Sequence, residues 1–414
     1  MHGHGCLILH DFIPSDTMQL CGKSGLQLYG ASFRSSKMTS EERREARYQR
    51  RKAKREEKKK KLAEFDDYEK VFSYENLYLA YKKCRRHVGW KGSTQKYITQ
   101  APLNVYRTHK KLMAGKFKSD GFYEFDLYER GKHRHIKSVT MGERVVQRCL
   151  CDNALVPVVE RTFVYDNGAS MKKKGYHFAV RRMVCHLQRH YRKHGRKGYI
   201  LLFDFSKFFD RVSHEVVKGI LKKEFTDERI VKLTEQFVDA FGDVGLGLGS
   251  QISQVLSLAS ANRLDHMVKE DLRIKGYGRY MDDGYLIHES KEYLQECLVK
   301  IKAVCKELDI TLNEKKTQIV KLSRGFTWLK IRFRITETGR IVRKIYKRSV
   351  TRMRQKMKKF KRHVELGKMT EQDVFTSWQS WKGYALHFNA WHTVKNMETL
   401  YNQLFAERKE AYVL

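Results

Sequence analysis

The stretch GYGRYMDDGYLI, residues 276–287, decides the fold of this chain. Two apolar, strand-like runs flank two adjacent acids, so the pattern predicts a tight hairpin with Asp282 and Asp283 at its turn. Adjacent carboxylates repel each other, and the arrangement is costly unless a cation lies between them. The stretch therefore predicts a metal site, and an ordinary surface turn is the alternative.

A second acidic strand end lies upstream, in YILLFDFSKFFD, residues 199–210. A buried apolar strand that ends in Asp204, together with a hairpin that carries two acids, is typical of a two-metal polymerase site. Asp204 and Asp282 can bridge two Mg²⁺ ions, Asp283 completes the acidic cluster, and the backbone carbonyl of Phe203 is a further candidate ligand. For Asp204 the alternative is a helix cap that follows the strand.

The charge of the chain indicates a polyanionic partner. Its 414 residues include 84 Lys+Arg against 47 Asp+Glu, which gives a net charge of +37. Such a chain repels itself unless a polyanion neutralises it, and nucleic acid is the favoured candidate. An anionic membrane surface is the second candidate, but no long apolar segment supports it. With eight Cys and no CxxC pair, we expect reduced thiols and a cytoplasmic protein.

The N-terminal region differs from the rest of the chain. Residues 1–37 show no sustained period, and we hypothesise that Met38 is the true initiator. Ser40 is the expected N-cap of a helix with acids in its first turn. Residues 43–61 are too charged to bury a face, so they form either an exposed helix or a disordered arm.

Hydrophobic periodicity predicts helices and strands along the remaining chain. We expect helices within residues 65–118, a hairpin over 122–139, further helices over 143–158, 177–192, 214–223, 256–273 and 291–308, and two amphipathic helices with basic outer faces near the C-terminus. His186, His190 and His194 recur every four residues, and we expect them to form a wet basic face rather than a metal site.

Five motifs in order resemble those of prokaryotic reverse transcriptases, over residues 65–400. The resemblance is closest to the type found in diversity-generating retroelements and to its uncharacterised and defence-associated relatives. The motifs are FDFSKFFD (203–210), GLGLGSQISQ (245–254), YMDD (280–283), LNEKKT (312–317) and FTWL (326–329). The chain departs from the family at Gly247-Leu248, where most reverse transcriptases carry Pro-Gln.

The resemblance implies an α+β fold of the right-hand polymerase kind. Palm and fingers would combine an antiparallel sheet with helices, and a helical thumb would follow. The expected bounds are 1–62 for a disordered leader and basic arm, 63–335 for fingers and palm, and 336–414 for the thumb.

The resemblance also implies roles for individual residues. Asp204, Asp282, Asp283 and Lys316 would be catalytic, with Lys316 assisting the departure of pyrophosphate. Phe209 would be the aromatic steric gate that favours dNTPs, and an ordinary core aromatic is the alternative. The other expected nucleotide-binding residues are Arg134, Lys174, Gly249, Ser250 and Gln254. For Arg134, Lys174 and Lys316, an exposed cation with no specific role is the alternative.

The implied activity is RNA-directed DNA synthesis from dNTPs with two Mg²⁺ ions, for which Mn²⁺ is an alternative. The expected partners are an RNA template, the RNA–DNA hybrid, a dedicated structured noncoding RNA and accessory proteins. We do not expect the chain to bind a membrane. A retroelement and phage defence are the two settings. A non-catalytic RNA-binding scaffold and a template-independent DNA polymerase are the rival functions. Template identity, priming mode and oligomeric state stay open.

Overall fold

The structure, a computed structural model, describes residues 39–129 and 132–405. The hypotheses about Met38 and a leader over residues 1–37 concern a part of the chain outside this range. The chain divides into two compact units, Met1–Glu56 and Glu57–Leu414. No helix among the described residues is long and apolar enough to cross a membrane.

The described part of the first unit is helical. Helix α1 spans Ser40–Ala63, and its described side chains are mostly exposed, so the helix is the correct one of the two alternatives for residues 43–61. The predicted cap at Ser40 is wrong by one residue. Thr39 Oγ1 accepts a hydrogen bond from Glu42 N at 3.2 Å, and Glu42 Oε2 accepts one from Thr39 N at 2.7 Å. This reciprocal pair is a capping box, which satisfies two backbone donors at once.

Four helices and a hairpin follow α1, in the part of the chain where the sequence predicts helices and then a hairpin. The helices are α2 (Tyr68–Val71), α3 (Tyr74–Cys84), α4 (Gly92–Thr99) and α5 (Ala101–Met113). The hairpin consists of β1 (Tyr123–Glu129) and β2 (Lys132–Ser138), which pair antiparallel. Leu77, Val105 and Leu112 are fully buried because these helices turn their apolar sides inward.

Further helices connect the hairpin to the central sheet. Helix α6 (Met141–Leu150) continues through a π-helical turn at Cys151–Leu155 into α7 (Val156–Val159). After a loop, α8 spans Tyr176–His194. The helices predicted over 143–158 and 177–192 are therefore confirmed.

Of the three histidines predicted to line one face of α8, His186 is buried, whereas His190 and His194 are half-buried. His186 is only 2% exposed, and its Nδ1 lies 2.9 Å from Tyr285 Oη. His190 Nε2 lies 2.7 Å from the Lys197 carbonyl oxygen. The prediction of a solvated face is wrong for His186, because that side of α8 packs on the central sheet.

The central sheet is built around β3 (Tyr199–Asp204). The elements that follow are α9 (His214–Glu224), α10 (Glu228–Asp239), α11 (Gln251–Ser260), α12 (Asn262–His266), β4 (Gly276–Tyr280), β5 (Asp283–His288), α13 (Lys291–Glu307) and β6 (Gln318–Lys321). The strand order is β4-β5-β3-β6, with all neighbours antiparallel.

Both faces of β3 are buried, in two different cores. Leu201 and Phe203 belong to the larger core, with α3, α6, α9, α10 and α11. Ile200 and Leu202 belong to a second core, with α8 and the smaller sheet described next. A strand covered on both faces reads as a continuous apolar run, which is why YILLF was recognisable as a strand.

A smaller sheet and three helices complete the unit. The strands β7 (Phe326–Trp328), β8 (Ile331–Ile335) and β9 (Ile341–Ile345) are antiparallel. Helices α14 (Lys347–Glu365), α15 (Glu371–Leu386) and α16 (Trp391–Phe405) share a small core around Met357, Trp378 and Met397. The two predicted C-terminal helices are confirmed, and α16 is an addition.

The predicted fold class, α+β with antiparallel sheets and a C-terminal helical part, is confirmed. The expected boundary between residues 335 and 336 falls in the turn between β8 and β9. The bounds of fingers, palm and thumb stay a prediction.

Candidate active site

Three carboxylates gather at one end of the central sheet. Asp204 is the last residue of β3 and pairs directly with Asp283, the first residue of β5. Met281 and Asp282 form the two-residue turn between β4 and β5, because Tyr280 pairs with Asp283. Phe205 N donates to the Asp282 carbonyl oxygen at 3.0 Å, which fastens this turn to the chain that leaves β3. The sequence prediction of an acidic hairpin beside an acidic strand end therefore describes the backbone correctly.

The electrostatics of the cluster are unfavourable to three negative charges. Burial, together with the charges of Asp282 and Asp204, raises the pKa of Asp283 to about 7. Like charges held close in a partly buried site oppose each other's ionisation, so one carboxyl keeps its proton near neutral pH. A bound cation would relieve the same repulsion.

Lys316 supplies positive charge to this cluster. Its Nζ lies 2.8 Å from both carboxylate oxygens of Asp204. Burial lowers the pKa of Lys316, but the hydrogen bonds and charge of Asp204 outweigh that effect, and the pKa is raised. The ammonium is therefore charged at neutral pH.

The LNEKKT motif positions Lys316 through its backbone. Asn313 N donates to the Asp204 carbonyl oxygen at 2.8 Å, and Asn313 Nδ2 donates to Asp204 Oδ1 at 3.3 Å. Lys316 N donates back to the Asn313 carbonyl oxygen at 3.1 Å, which closes a turn. The motif therefore holds the end of β3 and presents its lysine to the carboxylate of Asp204.

The donor chemistry of the cluster fits a hard divalent cation. Carboxylate and carbonyl oxygens are the ligands that Mg²⁺ prefers, and no nitrogen or sulfur ligand is among those predicted. As the side chains stand, no group of three or more His, Cys, Asp or Glu among the described residues is arranged to hold a metal ion. Lys316 contacts both carboxylate oxygens of Asp204. A metal ion could therefore bind this carboxylate only if Lys316 shared it with the ion or moved away.

A buried ion pair beneath the hairpin escaped the sequence analysis. Arg279 and Asp265 are both fully buried, and Arg279 donates to Asp265 from Nε at 2.7 Å and from Nη2 at 2.6 Å. Arg279 Nη1 also donates to the Met281 carbonyl oxygen at 2.8 Å, and Nη2 donates to the Leu258 carbonyl oxygen of α11 at 3.1 Å. One guanidinium therefore ties the turn of the acidic hairpin to α11.

The turn needs such support because Met281 is strained. Its φ is 54°, in the left-handed region that favours glycine. Residues held in this conformation persist only when the surrounding contacts over-determine them, and they cluster at functional sites. We infer that the Arg279 hydrogen bond to Met281 is one of these contacts.

The predicted gate residue and the glycine loop lie together. Phe209 is half-buried in a short 3-10 turn, Phe209–Arg211, and its carbonyl oxygen accepts from Leu246 N at 2.7 Å. Gly245 has φ 87°, and a Cβ there would meet the Asp210 carbonyl oxygen at 2.7 Å. A side chain at Gly247 would clash with the Phe241 ring. Gly245 therefore lets this loop dock closely against the Phe209 segment, and Gly247 lets it pass the ring of Phe241.

Of the remaining predicted residues at the end of the loop and the start of α11, only Ser250 has a side-chain partner among the described residues. Gly249 has φ 110°, which leads the backbone into the start of α11. Ser250 caps α11, and its Oγ donates to Gln147 Oε1 at 3.0 Å. Gln254 is exposed on α11. A cavity of about 220 Å³, lined in part by Lys137 and Arg144, lies between this loop and the β2 strand.

Of the two predicted fingers cations, one is described in full. Lys174 Nζ donates to the carbonyl oxygens of Tyr165 and Asn167 at 2.9 and 3.1 Å, and burial lowers its pKa. Arg134 lies on β2 opposite Leu127, but its side chain is outside the described part of the chain. The roles of both in nucleotide binding stay predictions.

Substitutions at Arg279 and Asp265 test how much this ion pair contributes to the stability of the fold. Arg279→Met leaves the carboxylate of Asp265 buried without its partner, so we expect a loss of about 3–5 kcal/mol in the free energy of unfolding. The double variant Asp265→Leu with Arg279→Met removes both charges and should regain most of that loss. Chemical denaturation measures both values.

The same double variant tests the positioning role. We expect Mg²⁺ to raise the melting temperature of the wild type. If Arg279 holds the hairpin turn, the rise in the double variant should be smaller. An unchanged Mg²⁺-dependent rise would show that the ion pair serves stability alone.

The titration of Asp283 predicts a dependence of stability on pH in EDTA. The folded pKa of about 7 lies above that of an unfolded Asp, so protonation favours the folded state. Stability should fall as pH rises from about 4 to about 7 and then stay low. Asp283→Asn removes this loss. The free energy of unfolding of the variant, relative to that of wild type, should therefore increase by at least about 1 kcal/mol as pH rises from about 5 to about 8. A stability difference that does not change with pH would contradict the assignment.

The chain is similar to several known proteins. Protein YkfC of Escherichia coli (strain K12) is 24% identical, over 48% of this chain and 62% of its own length, so the chain spans less than two thirds of this relative. Among solved structures, apo telomerase from Candida Tropicalis, truncated from its C-terminal domain, has a TM-score of 0.42 at 13% identity over 54% of this chain and 55% of that one. Telomerase from Candida albicans, in complex with a TWJ fragment of telomeric RNA, has a TM-score of 0.44 at 11% identity over 75% and 65% of the two chains.

The family model for "Reverse transcriptase (RNA-dependent DNA polymerase)" matches residues 118–333, which is more than half of the chain. That span holds both acidic strand ends, the glycine loop and Lys316. The chain therefore belongs to the reverse transcriptase family.

Proposed function

We propose that the chain is an RNA-directed DNA polymerase that copies an RNA template into cDNA from dNTPs. The observation that carries the proposal is the register of the central sheet, which pairs Asp204 with Asp283 beside the Asp282 turn. Family membership supports the reaction class at the family level. The two-metal mechanism, the site residues and the biological setting belong to the proposal.

The carboxylates of Asp204, Asp282 and Asp283 and the carbonyl of Phe203 would hold two Mg²⁺ ions, the metal that the family generally uses. When bound, such ions make the primer 3′-hydroxyl nucleophilic and stabilise the charge of the leaving pyrophosphate. The chain itself contributes two strand ends that are held together by backbone pairing. The carboxylates at these ends would therefore meet the ions without a rearrangement of the backbone. Preorganised groups of this kind account for much of the catalytic effect in phosphoryl transfer.

Lys316 is the proposed proton donor to pyrophosphate. Its ammonium already lies at the cluster, is charged, and is half-exposed, with 57% of the side chain accessible. Once the charge of Asp204 is shared with other cations, the same ammonium can contact phosphate oxygens. Arg134 and Lys174 remain the proposed triphosphate contacts.

Phe209 is the proposed steric gate. Its backbone supports the glycine loop, so the ring and the residues Gly249, Ser250 and Gln254 belong to connected segments of the chain. A ring placed at the sugar would exclude a ribose 2′-hydroxyl and favour dNTPs. Primer extension with rNTPs measures this, and failure of Phe209→Ala to admit rNTPs would remove the gate.

The proposed partners are an RNA template, the RNA–DNA hybrid and a dedicated structured RNA. The net charge of +37 supports a polyanion, and the cations of α14 and the strand before it are mostly exposed. Seven of these cations are the proposed phosphate contacts: Arg343, Lys344, Lys347, Arg348, Arg354, Lys358 and Lys361. Phosphate contacts release counterions, so binding should weaken steeply with salt. A retroelement and phage defence remain the two proposed settings, in the cytoplasm of a prokaryotic cell.

Primer extension on a primed RNA template with Mg²⁺ and the four dNTPs tests the proposal. We expect wild type to extend the primer, and Asp282→Ala to lose at least about 10²-fold in rate, because a charge-stabilising group at the reacting centre is removed. Asp210→Asn is the matched control, since Asp210 is exposed and lies outside the cluster. It should keep most of the activity.

The outcomes separate the rival functions. Extension without a template, abolished by Asp282→Ala, would favour a template-independent DNA polymerase. No extension by wild type, even with RNA purified from the native host, would favour the non-catalytic RNA-binding scaffold. Equal rates for wild type and Asp282→Ala would contradict the assignment of the acidic cluster.

A further inference from the structure

A basic concavity lies at the end of the central sheet opposite to the acidic cluster. It has a volume of about 720 Å³ and is bounded by the C-terminal half of α8, the segment before β4, the end of β5 and the start of α13. The β3–β5 register pairs Tyr199 with His288 at this end and Asp204 with Asp283 at the other. Five residue steps along a strand separate the two ends, or about 16 Å.

Five cations line this concavity without a partner in the described part of the chain. They are exposed, and no side-chain hydrogen bond or ion pair joins them to another described residue. These residues are Arg189, Arg192, Lys193, Arg273 and Lys275. Uncompensated like charges that face one concavity raise its electrostatic potential and attract a polyanion.

The single acidic residue of the lining does not neutralise these cations. Glu289 lies 2.6 Å from His194 Nδ1, so its charge is engaged at one edge. Elsewhere on the same unit some exposed cations do have acidic partners, as Lys232 does with Glu228 and Arg263 with Glu307. The positive charge of the concavity is not compensated in this way.

Aromatic rings add a second feature that points to nucleic acid. The rings of His288 and Tyr293 lie with centroids 4.5 Å apart at the concavity, and both line it. Tyr293 Oη donates to the Leu272 carbonyl oxygen at 3.0 Å, which fixes its ring in place. A groove of cations with fixed rings is how proteins bind single-stranded nucleic acid, since phosphates meet the cations and bases stack on the rings.

We propose that this concavity binds a single-stranded segment of RNA at a site separate from the catalytic cluster. The inference rests on the proposed function only in taking RNA as the polyanion. The five cations would contact phosphates, and Tyr293 or His288 would stack on a base. Because the site is about 16 Å from the acids along the sheet, a strand held here is anchored to the enzyme without occupying the reacting centre.

A charge-reversal variant tests the site. Arg189→Glu, Lys193→Glu and Lys275→Glu, combined in the full chain, change both walls of the concavity. The matched control is the triple variant Lys300→Glu, Lys302→Glu and Lys306→Glu, which reverses three exposed cations of α13. A second variant with Gln at the three concavity positions guards against misfolding, and thermal unfolding verifies that each protein is folded.

The probe is a labelled RNA hairpin with a single-stranded tail, and its dissociation constant is measured by fluorescence anisotropy over a series of salt concentrations. We expect the Glu variant to bind about tenfold more weakly than wild type at physiological salt. The slope of log affinity against log salt should fall by about 2, for three lost phosphate contacts on a single strand. The Gln variant should show the same direction of change, and the α13 control should bind like wild type.

Equal weakening in the concavity and control variants would overturn the proposal, since it would show a general effect of net charge. Unchanged affinity of the concavity variant would overturn it as well. The same measurement is made with single-stranded DNA of the same sequence. If the concavity variant binds this DNA more weakly than wild type but binds the RNA equally well, the assignment of RNA is overturned.

Primer extension on a short preannealed RNA–DNA primer–template, run with the same proteins, separates this inference from the proposed function. We expect the concavity variant to extend this minimal substrate at the wild-type rate. If wild type does not extend while the binding difference holds, the polymerase proposal fails and the RNA site stands. If wild type extends and the binding difference is absent, the RNA site fails alone.

Discussion

Asp204 and Asp283 face each other as a register pair at the ends of two neighbouring strands, with Asp282 in the adjoining turn. Burial, together with the repulsion between these carboxylates, raises the pKa of Asp283 to about 7. A fold keeps such a cluster only if other interactions offset its cost, and here Lys316 contacts both oxygens of Asp204. The LNEKKT turn and the Arg279–Asp265 pair serve the same cluster, because the first holds the end of β3 and the second holds the turn of the acidic hairpin.

The scaffold beneath the acids is polar where most cores are apolar. Arg279 and Asp265 form a fully buried ion pair that reaches the turn through Met281 and α11 through Leu258. A buried ion pair is a weak source of stability, since desolvation of both charges offsets much of their attraction. Its role here is to hold three segments in place, because one rigid guanidinium donates to Asp265 of α12, to Leu258 of α11 and to Met281 in the turn.

The sequence was sufficient for the parts of the site that depend on local pattern. A continuous apolar run that ends in Asp204 and an alternating run around Asp282 both encode strands, and antiparallel pairing then brings the acids together. The order of the motifs identified the family, because the glycine loop and LNEKKT follow at the expected places. These features can be recognised from the sequence because each depends on a few adjacent residues.

The sequence was insufficient where a residue's role depends on distant partners. Arg279 lies in a strand between Gly278 and Tyr280, and nothing local indicates that Asp265 neutralises it in the interior. His186 appeared to belong to a basic helix face, yet tertiary packing buries it against Tyr285. Helix α16 is a different case, because its apolar residues Met397, Tyr401 and Leu404 recur at helical spacing and pack in or against the core that it shares with α14 and α15, so its sequence did carry a signal that the prediction missed.

Binding of Mn²⁺, followed by electron paramagnetic resonance in the presence of a primer–template and a non-hydrolysable dNTP, tests the central claim most directly. The claim is that the register pair and the turn beside it form a site for divalent cations. The account predicts two bound ions per wild-type chain, loss of bound Mn²⁺ in Asp204→Asn, and wild-type binding in the exposed control Asp210→Asn. Equal Mn²⁺ binding by wild type and Asp204→Asn would contradict it.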